Sequence, residues 1–149
     1  MTADAAASLN ASARIRQLSD LTRRLTQRLT TELAAFEARR PQDAMASLPQ
    51  TQELANVYRR ESAQVKANPA ILSAAPAADR MALIRDTEAF EAVLGRHARA
   101  VEAARVISEG LVRAIAAEVT QARGTPSAYG ATGRASAGDG RAVAFNRTA

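Results

Sequence analysis

The sequence predicts an all-α protein, either an elongated antiparallel helical hairpin or a three-helix bundle, with a long C-terminal helix and a flexible tail. Apolar residues recur at steps of three and four along most of the chain, which indicates amphipathic helices. The composition is rich in alanine and has only five aromatic residues in 149, as is typical of closely packed helices. No run of β-branched and aromatic residues predicts a strand. The predicted parts are a disordered N-terminus at 1–9, a helical bundle domain at 10–123 and a flexible tail at 124–149.

The first predicted helix covers about residues 10–39 and follows a short segment of small and polar residues. Arg39 and Arg40 before Pro41 are typical of a helix C-terminus. The opposite side of the helix is rich in arginine. One apolar stripe runs along the helix at steps of three and four: Ile15, Leu18, Leu21, Leu25, Leu29, Leu33 and Phe36.

A shorter second helix is predicted after Pro41. Asp43 could cap an early turn, and Pro49 could lie in the first turn of a restarted helix. Asn68 before Pro69 ends this helix, because the residue before proline is disfavoured in the α region. In the connector that follows, Ile71 and Leu72 are expected to pack onto the helices.

The third predicted helix is the longest, at about residues 79–122. Asp79 is either its N-cap or part of its first turn, and Gly124 is the expected C-cap. Gly95 and Gly110 each cost about 1 kcal/mol relative to alanine; they either permit close approach of a neighbouring helix or soften this one. Alternating steps of four and three form a heptad seam: Leu83, Thr87, Phe90, Leu94, His97, Val101, Ala104, Ser108, Leu111, Ile115 and Glu118.

The side chains required for most kinds of chemistry are missing from this sequence. It has no cysteine and a single histidine, His97, which lies in the apolar seam. We therefore predict no catalytic, cofactor-binding or metal-binding residues and no enzymatic activity. No apolar stretch is long enough to span a membrane, and the N-terminus lacks the pattern of a signal peptide, so a cytoplasmic protein is expected.

The net charge is +5, and Lys66 is the only lysine among the 20 basic residues. Most of this charge is expected to solvate helix faces. Nucleic-acid binding is a minor alternative, because no recognised motif or aromatic stacking platform supports it. The sequence instead favours protein binding, by the apolar face of the long helix and by apolar residues of the tail.

Four segments carry a resemblance to a known family. They are "TQELANVYRRES" in the second helix, "ARVISEGLVRAIAAEVTQ" in the long helix, and "AYGATGR" and "AVAFNRTA" in the tail. Together with the Leu-striped first helix they resemble the FlgN-like flagellar type III export chaperones, in particular an alphaproteobacterial FlbY-like branch. The net positive charge departs from that family, whose members are commonly acidic or near neutral.

The resemblance implies a cytosolic chaperone that binds hook-filament junction (hook-associated) proteins through their C-terminal helical segments and prevents premature assembly. It also leaves export-gate components open as further partners. The partner-binding residues that it implies are Ile107, Leu111, Val112, Ile115 and Val119 on the long helix, and Tyr129, Val143 and Phe145 in the tail.

A structural role is the alternative to a chaperone. The heptad seam could hold copies of the chain together in a coiled-coil component of the flagellar basal body or of another homomeric assembly. In that case His97→Leu should strengthen the oligomer. A homodimer through the same face in the absence of client is also compatible with the pattern, and the sequence leaves the client and the stoichiometry open.

Overall fold

The computed structural model describes residues 2–124. These residues form four α-helices and no strand: α1 (Ala3–Glu37), α2 (Pro41–Ala67), α3 (Pro69–Ala74) and α4 (Ala77–Gly124). The all-α prediction is confirmed. The predictions for the tail, including those for Tyr129, Val143 and Phe145, lie outside the described residues.

Helix α1 begins earlier than predicted. The expectation of disorder over residues 1–9 is corrected by a helix that starts at Ala3. Thr2 is its N-cap, and the Thr2 hydroxyl accepts a hydrogen bond from the Ala5 amide at 3.3 Å. Asp4 in the first turn favours the positive end of the helix dipole, and the alanines after it have the highest helix propensity.

A tight turn joins α1 to α2. Arg39 has a left-handed backbone with φ of 58°, and the Arg40 amide donates to the Ala35 carbonyl at 2.9 Å. Pro41 then occupies the first turn of α2, where its fixed φ suits the helix and its missing N–H leaves no hydrogen bond unmade. Pro49 lies inside this continuous helix, so α2 starts at Pro41 and does not restart at Pro49.

Three long helices form a bundle in the part of the chain up to Ala104. Helices α1 and α2 are antiparallel, since Arg14 bonds Gln64 and Glu32 bonds Thr51. Helices α1 and α4 are parallel, because contacts advance along both helices, from Arg16 with Asp79 to Glu37 with Arg96. The short α3 lies in the connection that reverses the chain between α2 and α4. Of the two predicted arrangements, the structure is the three-helix bundle.

Helix α1 supplies most of the core through its predicted apolar stripe. One cluster of buried residues lies near its N-terminal half and contains Ala11, Ile15, Leu18, Val65 and Ala75. The other contains Leu25, Leu29 and Phe90. Half-buried Tyr58 packs against both clusters. Ile71 also packs against the first cluster as expected, whereas Leu72 is exposed.

The structure divides the predicted domain at 10–123 into two compact units. Unit 1 ends at Ala104 and unit 2 begins at Arg105. Helix α4 contributes residues to both units. Unit 1 contains every buried residue among those described, and each described residue of unit 2 is exposed.

Candidate partner-binding site

The long-helix residues predicted to bind a partner form an exposed apolar face of unit 2. The exposed fraction ranges from 45% at Val119 to 70% at Ile107. Residues at steps of three and four share one side of a helix, so this set forms one stripe. We call it the α4 face: Ile107, Leu111, Val112, Ile115 and Val119.

Charged residues flank the α4 face. Glu109 pairs with Arg105 at 2.7 Å and with Arg113 at 3.7 Å, each one helical turn away. Such exposed pairs stabilise a helix by only a few tenths of a kcal/mol. They are compatible with a helix whose apolar side is left to a partner.

Gly110 lies within this segment of α4. A Cβ atom added there would meet nothing within 4 Å, and one added at Gly95 would meet only the Arg99 guanidinium at 3.7 Å. The structure therefore shows no close helix approach at either glycine among the described residues. The softening of the helix by these glycines stays a prediction.

In unit 1 the heptad seam of α4 contacts the bundle of the same chain. Phe90 is 8% exposed and packs with Leu25 and Leu29 of α1. His97 packs edge-on against Phe36 at a centroid distance of 5.9 Å. Phe90 and His97 are thus used within the chain, whereas Leu94 and Val101 of the same seam are exposed at 42% and 41%.

A buried polar cluster links all three long helices, and sequence reasoning missed it. Glu32 is 3% exposed, and its Oε2 lies 2.9 Å from Nε2 of His97. Its Oε1 accepts from the Thr51 hydroxyl at 2.5 Å and from the Ser47 hydroxyl at 3.3 Å. The sequence held a signal: Glu32 falls three residues after Leu29, inside the apolar stripe, where a carboxylate requires polar partners.

A second polar set joins α1 to α4. Asp79 lies in the first turn of α4 and accepts hydrogen bonds from the Ser12 hydroxyl at 2.5 Å and from Arg16 at 2.9 Å. The hydrogen bond from Ser12, followed by that from Arg16, lowers the pKa of Asp79. The same arrangement recurs one heptad later on both helices, with Ser19, Arg23 and Asp86.

Residues 2–124 lack two features that would indicate another kind of site. No three histidine, aspartate or glutamate side chains there are grouped so that they could hold a metal ion. None of the described helices combines the length and apolar character that crossing a membrane requires.

The fold and the α4 face define a small helical-bundle protein with an exposed apolar stripe on its last helix. The sequence is 45% identical over 148 residues to the flagellar basal-body protein FlbY of Caulobacter vibrioides, covering 97% of this chain and 99% of that relative. The chain belongs to the FlbY family of flagellar proteins. No protein-family model matches the sequence, and no solved structure matches it.

The FlbY-like part of the predicted resemblance is thus confirmed. The FlgN-like chaperone assignment stays a prediction. The predicted roles of the α4 face and of the tail residues stay predictions as well, since the structure gives positions and no partner.

Proposed function

We propose that the chain is a cytosolic export chaperone for flagellar hook-filament junction proteins, acts without a cofactor and has no enzymatic activity. One observation carries the proposal: the α4 face leaves five apolar side chains exposed in a row. Single exposed apolar residues are ordinary, whereas a contiguous apolar patch commonly marks a binding surface. The flagellar family of the chain supports a flagellar partner.

The contact would follow helix-in-groove recognition. A client helix lays its own apolar stripe against residues spaced at three and four on α4. Ile115 lies in the middle of the α4 face and is 52% exposed, so a client could bury much of its side chain. A bound client could not use the same apolar stripe to assemble with other copies of the junction protein. Tyr129, Val143 and Phe145 of the tail would extend the contact, and export-gate components are proposed as further partners.

The test compares two apolar residues on opposite sides of the same helix. Ile115→Ser removes a central residue of the α4 face. Val106→Ser is the matched control, since Val106 is 57% exposed and about two and a half turns away, on the other side of α4. Affinity is measured by calorimetry with a purified hook-filament junction protein. We expect about tenfold weaker binding for Ile115→Ser and less than about twofold for Val106→Ser.

A third variant that ends at Arg123 tests the tail. Weaker client binding by this variant would assign part of the contact to residues 124–149. Equal affinity of the full chain and both serine variants would contradict the proposed role of the α4 face.

A structural component of the basal body is the second candidate, and the name of the relative, flagellar basal-body protein FlbY, favours it. In this case the α4 face would join copies of the chain. Sedimentation of the purified protein would then show concentration-dependent oligomers that Ile115→Ser dissociates and Val106→Ser leaves intact. A monomer across the concentration range, together with client binding, would favour the chaperone.

A further inference from the structure

A cleft of about 550 Å³ lies between α1 and α2 in unit 1. Its lining contains three apolar residues, the buried Leu21 and the half-buried Leu54 and Val57, which we call the floor of the cleft. The polar side chains of both helices that line the cleft are called its rim. Arg24 and Arg28 lie on the α1 side of the rim, and the carboxylate on the rim is Glu53 of α2. We call this site the α1–α2 cleft; its remaining lining residues are Gln27, Thr31 and Gln50.

The two cleft arginines differ from the other arginines of α1 in having no acidic partner. Arg14 pairs with Glu61, Arg16 with Asp79, and Arg23 with both Asp20 and Asp86. Among the described residues, neither Arg24 nor Arg28 has such a carboxylate partner, and Glu53 across the rim forms no ion pair with them. The cleft therefore presents two guanidinium groups whose hydrogen-bonding capacity is available to a ligand.

The position of these two guanidinium groups indicates which kind of ligand the cleft would bind. Residues four apart on a helix lie side by side, so Arg24 and Arg28 can converge on one acidic group. Guanidinium groups bind carboxylates through two parallel hydrogen bonds. Two cations against the single carboxylate of Glu53 leave the lining with an excess of positive charge. The apolar floor beneath them favours a ligand that carries an apolar side chain next to its acidic one.

We propose that the α1–α2 cleft binds an acidic segment of a partner protein. A glutamate or aspartate of that segment bonds Arg24 and Arg28, and a neighbouring apolar side chain covers Leu54 and Val57. The volume accommodates a few side chains. The site is concave, which suits inserted side chains better than the flat array of headgroups on a membrane. This surface lies in unit 1 and does not depend on the chaperone proposal, which rests on unit 2.

The test uses the full chain and a fluorescent octapeptide of alternating glutamate and leucine, with a lysine–leucine octapeptide for comparison. Arg24→Gln/Arg28→Gln removes both cleft cations. The matched control is Arg85→Gln/Arg99→Gln, which removes the same charge from exposed positions of α4 in unit 1. Binding is measured by fluorescence anisotropy at two salt concentrations. The thermal unfolding midpoint of each variant shows that the bundle is intact.

We expect the acidic peptide to bind the wild-type chain, about tenfold weaker binding by the cleft variant, and a change of less than about twofold in the control. The lysine–leucine peptide should not bind. Arg28→Lys, which keeps the charge and loses the planar fork, should show an intermediate loss.

Three results would overturn the proposal. They are absence of binding by the acidic peptide, equal losses in the two double variants, and binding of both peptides alike. Vesicles of phosphatidylcholine with phosphatidylserine are the remaining comparison. If these vesicles bind through Arg24 and Arg28 and the acidic peptide does not, the ligand is an anionic membrane surface and the peptide proposal is wrong.

Discussion

Glu32 is the residue on which the polar interior of the bundle depends. Its carboxylate contacts His97 of α4 together with Ser47 and Thr51 of α2, so one side chain of α1 connects to both other long helices. A buried carboxylate is costly unless hydrogen bonds replace its water. Here all the buried side-chain polar atoms among residues 2–124 have partners. The cluster therefore favours one register of the three helices.

Glu32→Ala should destabilise the protein by about 2–4 kcal/mol, because it leaves the His97 imidazole without its carboxylate partner and creates a small cavity. Chemical denaturation followed by circular dichroism measures the change. The exposed Glu37, which pairs with Arg96 at the surface, provides the control: Glu37→Ala should cost less than about 1 kcal/mol. Equal losses of stability in Glu32→Ala and Glu37→Ala would show that the buried cluster contributes no more to stability than a surface ion pair.

His97→Leu should also destabilise the chain, by about 1–3 kcal/mol, since it leaves the Glu32 carboxylate buried without the imidazole. The double variant Glu32→Ala/His97→Leu should lose less than the sum of the two single losses, because both partners are then apolar. A double-mutant cycle gives the coupling energy. Additive losses would mean that the two residues do not interact. The sequence-based expectation that leucine at position 97 strengthens a homomeric oligomer stays a prediction.

Asp79 makes one contribution to stability dependent on pH. Its pKa lies below the ordinary value of 3.8, through hydrogen bonds from Ser12 and Arg16. A carboxyl group whose pKa is lower in the folded chain stabilises the fold above its unfolded pKa, and this stabilisation is lost as the pH falls through the folded pKa. The stability difference between wild type and Asp79→Asn should therefore be constant near neutral pH and shrink below about pH 4.

Urea denaturation across this pH range measures the difference. Ser12→Ala removes the first cause of the shift, so this variant should show a weaker dependence on acid than wild type. A difference that does not change with pH would contradict the assignment to Asp79.

Among the elements, α1 was predictable because its stripe of leucines repeats without interruption. The apolar stripe predicted the core residues of α1. Pro41 predicted the end of the helix at about residue 39, and the helix ends at Glu37. The parallel pairing of α1 with α4 was not predictable in this way. Apolar spacing identifies the side of a helix that packs, but it does not show whether two packed helices run parallel or antiparallel. The direction depends on matched polar sets, in which Ser12, Arg16 and Asp79 recur one heptad later as Ser19, Arg23 and Asp86.

The candidate site was predictable to a smaller extent. The spacing of Ile107, Leu111 and Ile115 gave the apolar face of α4. Only the coordinates show that it is exposed, while Phe90 and His97 of the same seam are covered by the bundle. The α1–α2 cleft could not be predicted from the sequence, because Arg24 and Arg28 have the spacing of ordinary surface arginines on a helix. Only the structure shows that they have no acidic partner among the described residues.

Gly110 should loosen the C-terminal part of α4. Its replacement by alanine adds a methyl group that meets nothing and stabilises the local helix by about 1 kcal/mol. Backbone amides near Gly110 should then exchange about fivefold more slowly in a hydrogen-exchange experiment, with those of the α1 core unchanged. Unchanged exchange near Gly110 would mean that the glycine does not limit the stability of this segment. Gly95→Ala is less informative, because the Arg99 guanidinium lies 3.7 Å from the added atom.

At the scale of the whole molecule, the buried core and the surface proposed to bind a junction protein belong to different units. The buried residues, both core clusters and the Glu32 cluster lie before residue 105. The described residues of unit 2 bury nothing and present the α4 face. A helical segment of about 20 residues that buries none of its side chains is only marginally stable in water. Substitutions on the α4 face should therefore have little effect on the core.

A chain that ends at Ala104 tests this division. Because the core lies within unit 1, its thermal unfolding should remain cooperative, with a midpoint within about 4 °C of the full chain, which corresponds to about 1 kcal/mol for a domain of this size. It should lose binding of the junction protein and keep binding of the acidic peptide. A midpoint that falls much further would mean that residues after Ala104 support the bundle. Retained binding of the junction protein would place that contact in unit 1, since the α4 face is absent from this chain.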